Sequence, residues 1–245
     1  MKTTALFSIL SLGTLVLTAA EPKDDLKSAF DNLNKKANYS WSSKSEIEGL
    51  QFTPPTIEGK TEKDGYTLVS VKSDQASAEA LSKGTKAVAK TADGWKTAEQ
   101  MAAAAQAGGG GGFNRATMMP NTAIRAKAPG AEFGPLMGKI KSAKTEGDMI
   151  SAELTDEGAK ELASFGRGRP GGQIPEPKDA KASAKVWTKD GIPNKIEVHV
   201  SSKVKFGGPD AEEREFVRTT TIEIKSVGST TVEAPEDAKK ALEAK

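Results

Sequence analysis

The chain has 245 residues, with 35 Lys and Arg against 33 Asp and Glu, one His and no Cys. Without Cys there is no disulfide framework, thiol nucleophile or thiolate metal site. His199 alone leaves no two-histidine metal centre and a single imidazole for any Ser-His-Asp triad. A net charge of +2 gives no electrostatic case for nucleic acid, which needs a basic stripe to neutralise phosphates.

The chain opens with Met1-Lys2, an apolar run from Ala5 to Leu17, small residues at Thr18-Ala19-Ala20 and a polar restart at Glu21. That order is the mark of a secretory signal cleaved after Ala20, so 1–20 is read as a signal peptide. The run is shorter than the roughly 20 apolar residues that span a bilayer, so no transmembrane segment is expected after its removal. No Cys stands at the cleavage point to carry a lipoprotein thioether. The expected location is periplasmic or secreted, with residues 21–245 as one domain.

Residues 22–37 read as an amphipathic helix, with Leu26, Phe30, Leu33 and Ala37 at helical spacing. Asp24 and Asp25 at its start and Lys35 and Lys36 at its end complement the helix dipole. Strand-like runs split by Asp-Gly turns follow, over 38–48, 56–72, 86–97 and 184–206. Alternation puts Tyr39 with Trp41 on one face, and Ile196, Val198 and Val200 opposite Lys195, Glu197 and His199. Residues 216–227 add a strand with Ile222 and Ile224 on one face. The fold class is therefore α+β, an antiparallel meander with one dry and one wetter face.

Three stretches between the hairpins read as irregular. Residues 98–129 form a flexible Ala/Gly-rich insertion, because five consecutive glycines (Gly108–Gly112) lose too much backbone entropy to hold an element. A short helix over 130–142 uses Phe133, Leu136, Met137 and Ile140, and a strand pair turns at Gly147-Asp148. Thr155 caps a helix carrying Ala159, Leu162 and Phe165. A loop at 166–182 and an acidic turn at 207–213 come next, and Pro235 opens a terminal helix.

No motif for catalysis or a cofactor emerges. There is no nucleophile elbow, and the glycine run lacks the Lys-Ser/Thr of a phosphate-binding loop. His199, mid-strand between Val198 and Val200, reads as a solvated histidine. The acidic residues around Asp210 lack the spacing of a calcium loop. The expectation is a protein that is not an enzyme and binds no cofactor or metal. An envelope hydrolase would need a cluster of perturbed carboxylates in one cleft. Two features remain suggestive. Arg167 and Arg169 suit an anionic headgroup or a partner's acidic patch, or serve only as a solvated loop. Phe113, Met118, Met119, Phe133 and Leu136 are either ordinary core or an adaptable apolar binding surface.

The order of elements, with Asn38-Tyr39-Ser40-Trp41, Leu154-Thr155-Asp156-Glu157-Gly158 and the Val186-Trp187…Asp190-Gly191-Ile192-Pro193-Asn194-Lys195 run, resembles a superfamily of bacterial envelope lipid carriers. It includes LolA and the mycobacterial LppX/LprG lipoproteins, and RseB-type sensors share the fold. The resemblance covers about 22–234 and is one of pattern. It implies a large curved antiparallel sheet, an unclosed barrel with helices on its concave face, flanked by N- and C-terminal helices. It also implies a lipid or other hydrophobic ligand lined by Tyr39, Trp41, Met118, Met119, Phe133 and Leu136, with 98–142 and 155–165 as lid. The alternative is a sensor or protein-binding module on that fold, with another envelope protein as partner.

Overall fold

The computed structural model describes residues 21–49, 53–107, 115–164, 177–205 and 212–244, with the backbone alone at 115–117. The signal segment, the glycine run, Phe113, Phe165, Arg167 and Arg169 lie outside them.

Helix α1 (Pro22–Lys35) starts with Pro at its first position and Asp24 and Asp25 in its first turn, and it buries Leu26, Ala29, Phe30 and Leu33. The predicted hairpins form β1 (Asn38–Ile47), β2 (Thr56–Glu62) and β3 (Thr67–Lys72), then β5 (Lys86–Thr91) and β6 (Gly94–Lys96). Between them β4 (Ser77–Lys83) is a strand that its Ala, Glu and Lys content does not announce. Pairing on both sides, with β3 and β5, holds it extended.

After the crossing segment the chain returns as β7 (Ile140–Glu146), β8 (Met149–Leu154), β9 (Lys178–Lys189), β10 (Ile192–Lys205) and β11 (Glu213–Lys225). β9 begins inside the stretch expected to be loop, where its pairing with β10 extends to Lys178. The β9–β10 turn places Asp190 and Gly191 at φ of 54° and 73°, the left-handed pair that a tight hairpin needs.

The strands form one antiparallel sheet in the order β6-β5-β4-β3-β2-β1-β11-β10-β9-β8-β7. It ends on β6 and β7 and stays open. Those two strands are consecutive in the chain, so the link between them must travel from one edge of the sheet to the other. It does so as helices α2 (Ala98–Ala107), α3 (Arg115–Arg125) and α4 (Pro129–Phe133) and a 3-10 segment (Gly134–Lys139). Here the expectation of an irregular insertion is corrected: two helices flank the glycines. Pro120 sits inside α3, and two residues on the Thr122 hydroxyl donates to the Met118 carbonyl at 3.0 Å. The predicted short helix likewise stops at Lys139, and Ile140 already belongs to β7.

One face of the sheet carries the main core. Tyr39, Trp41, Val69, Val71, Ile196, Val198, Ile222 and Ile224 meet α1, α3, α4 and helix α5 (Asp156–Ser164) there. Thr155 caps α5, accepting from the Gly158 N–H at 3.3 Å. The terminal helix α6 (Glu236–Glu243) takes the opposite face, packing Ala238 and Leu242 on Leu81 and Val88. The helices are thus not all on one side.

Candidate ligand cavity

Between sheet and helices lies a wholly apolar cavity of about 20 Å³ over β8, β9 and β10. That is room for little more than one water-sized molecule. Its floor comes from alternate residues that share the covered face: Ala152 and Leu154, Ala184 and Val186, Ile196 and Val198. Register aligns them, since Ala152 pairs with Ala184 and Ala184 with Val198. Its roof is Leu26 and Phe30 of α1, Phe133, Leu136 and Met137 of the crossing segment, and Leu162 of α5. Phe30 and Phe133 meet with ring centroids 6.1 Å apart and planes tilted by 40°.

Two polar ties hold α1 over the sheet. Asn32 Nδ2 donates to the Gly191 carbonyl at 3.2 Å, and Asn34 Nδ2 to the Gly130 carbonyl at 3.4 Å. Lys139 bonds Glu157 and Glu161 at 2.8 and 2.6 Å, tying the 3-10 segment to α5. From β11, Arg218 Nη2 donates to the Leu162 carbonyl at 2.9 Å. Burial pulls the Arg218 guanidinium down from its usual range, and the Glu132 carboxylate opposes this. Glu132, one residue before Phe133, has its carboxyl pushed up by burial, with Arg218 and Lys127 pulling the other way.

The six residues expected to line a ligand part company here. Phe133 and Leu136 stand on the cavity wall; Tyr39, Trp41, Met118 and Met119 are outside its lining. Tyr39 and Trp41 share a face as expected, at 5% and 4% exposure, yet belong to the packed centre of the sheet. Burial pushes the Tyr39 phenol up to about 12, and a hydrogen bond to the Gly130 backbone opposes it. The Trp41 indole lies flat against Gly59, where a Cβ would stand 2.1 Å from Cε2, and its Nε1 donates to Thr61 Oγ1 at 3.1 Å. Met119 is buried on α3, over β3–β5, and Met118 is partly buried beside it. The two methionines and the two phenyl-stacked residues are therefore in different halves of the core. Periodicity did mark Leu26, Phe30, Ile196 and Val198 as inward-facing; that they meet around one cavity depends on strand register.

His199 is exposed on the uncovered face, its Nδ1 3.3 Å from Thr219 Oγ1. No described helix is long and apolar enough to cross a membrane.

The fold and cavity define an open antiparallel sheet whose helix-covered face carries an apolar pocket. Solved structures similar to the chain include the following two. LprF from Mycobacterium bovis has a TM-score of 0.43 at 7% identity, covering 88% of this chain and 97% of its own. The LolA superfamily protein NE2245 from Nitrosomonas europaea has a TM-score of 0.35 at 11% identity, covering 87% of this chain and 96% of its own. No family model matches the sequence, and no curated protein matches it.

Proposed function

We propose that this is an exported, non-catalytic protein that binds or carries a lipid or other hydrophobic ligand between sheet and helices. The observation that carries the reading is the cavity over β8–β10, whose thirteen lining residues are all apolar. A site for a hydrophobic ligand keeps an apolar lining with few polar groups, and this lining has that chemistry. An acyl chain needs more room than about 20 Å³, so loading displaces the roof. The roof suits that motion: the Met137 side chain is adaptable, and the 3-10 segment carrying Leu136 and Met137 is only two turns long. The signal-like first twenty residues support export.

Native mass spectrometry of the protein, exported and purified without detergent, tests this. The expected result is bound mass of a few hundred daltons that organic solvent releases as lipid. A bare polypeptide mass with no extractable lipid, and no binding of added medium-chain amphiphiles, overturns it.

A further inference from the structure

We propose that a ligand enters the cavity through the seam between the 3-10 segment and α5, and that the Lys139 side chain is the latch of that seam. The inference rests on the pocket reading and adds the route by which the pocket fills.

Among the described residues the roof is joined along two seams. At the first, α1 meets α4 and the 3-10 segment, with Phe30 stacked on Phe133 and both rings buried. Parting it would wet two aromatic rings, which the hydrophobic effect opposes. At the second, the 3-10 segment meets α5. Leu136 and Met137 bring one flank of this seam to the cavity and Leu162 brings the other. Met137 and Leu154, also in the lining, are only partly buried.

The rim of the second seam is ionic. Lys139 Nζ reaches Glu157 and Glu161, one turn apart on α5, at 2.8 and 2.6 Å. The Glu157 side chain is 79% exposed, so water replaces this contact at little cost. Opening here separates a solvated ion pair, where the first seam would part buried rings. The second seam is therefore the easier to open. Its base stays joined meanwhile, because the Lys139 carbonyl accepts from the Thr155 N–H at 2.8 Å. Lys139 is thus a hinge through its backbone and a latch through its side chain, and Leu136 and Met137 swing about it.

Stopped-flow uptake of N-phenyl-1-naphthylamine, a neutral apolar fluorophore, by the whole processed protein tests the inference, with excess decanoate as competitor to read release. Lys139→Met should raise uptake and release rates together, about two- to ten-fold, and leave Kd within about two-fold. A residue that merely shaped the pocket would change Kd instead. Lys139→Arg should keep the wild-type rates. The chain has no Cys, so a disulfide placed at either seam stands alone. A Cβ on Gly158 would lie 3.0 Å from Lys139 Cβ, and one on Gly130 would lie 3.0 Å from Asn34 Cγ. Both pairs are within reach of a disulfide, whose Cβ atoms stand about 3.8 Å apart. Lys139→Cys with Gly158→Cys, oxidised, should slow uptake at least about ten-fold, and reduction should reverse this. Asn34→Cys with Gly130→Cys, which ties the first seam, should leave uptake within about two-fold when oxidised.

Slowing by the second staple alone, by both staples equally or by neither overturns the inference and leaves the pocket reading standing. If a stapled variant does not fold, Lys139→Met decides alone: unchanged rates, or a changed Kd with unchanged rates, overturn the latch. A wild-type protein that takes up no probe and binds no decanoate overturns the pocket reading and the inference together.

Discussion

The covered face of the sheet is closed in two ways. Over β3–β5 the floor sets Val69 and Val71 beside the small Ala78, Ala80 and Ala89, at 6%, 3% and 0% exposure, and α3 sits on it through Met119 and Ala123. Over β8–β10 the roof is built from large, separately anchored side chains on α1, the 3-10 segment and α5, and a cavity remains among them. Small floor residues let one helix approach closely, whereas side chains from three elements must interdigitate and leave gaps where they do not. The second half is where the described residues leave an apolar cavity.

Phe30→Ala should have the largest effect on this contrast. It removes a ring at 1% exposure that stacks on Phe133, and should cost about 3–5 kcal/mol in urea unfolding. A cost below about 1 kcal/mol would mean that the roof of the cavity is not packed as described.

Overpacking should follow. Gly59→Ala forces the Trp41 indole off its strand and should cost about 1–3 kcal/mol, with a red shift of tryptophan emission. Ala80→Val, under α3, should fall in the same range. Ala184→Val, on the cavity floor, should cost less than Ala80→Val and weaken the binding of decanoate. Equal costs for the two alanines would erase the distinction between the halves.

The cap of α5 ranks next. Thr155→Ala removes the acceptor for the Gly158 N–H and should lower stability by about 1 kcal/mol, read by thermal unfolding.

The smallest effect is electrostatic and depends on pH. The Glu132 carboxyl is raised in the folded state, so folding binds protons and stability falls as pH climbs from the usual carboxylate value through the raised one. Glu132→Gln should therefore be more stable than wild type at neutral pH, with the advantage vanishing below the usual carboxylate range. A constant difference across that window would show that Glu132 titrates as an exposed acid does.

Much of the architecture was legible from local chemistry. Alternation in β10 and β11 predicted which residues point inward, and Asp190-Gly191 announced its hairpin because only a left-handed backbone closes that turn. The helical faces of α1 and α5 followed from spacing, and Thr155 from its capping chemistry. Reading failed where tertiary contact overrides propensity. β4 is extended because β3 and β5 flank it, and α3 stays helical through Pro120 while packing on a floor of alanines. Of the candidate lining, Phe133 and Leu136 border the cavity; methionines were singled out for their adaptability and Tyr39 and Trp41 through the family likeness, but Tyr39, Trp41 and Met119 fill packed core while Leu26, Leu162 and Val198 line the space.

The amino-acid sequence by itself determined most of the strands with their inward faces and turns, and helices α1, α5 and α6, because each depends on contacts only a few residues long. Tertiary structure alone decided the sheet's order, the route of the crossing segment from β6 to β7, the placing of α6 on the outer face and the meeting of Arg218 with Leu162. Those depend on register and packing between residues far apart in the chain, and no local pattern carries that information.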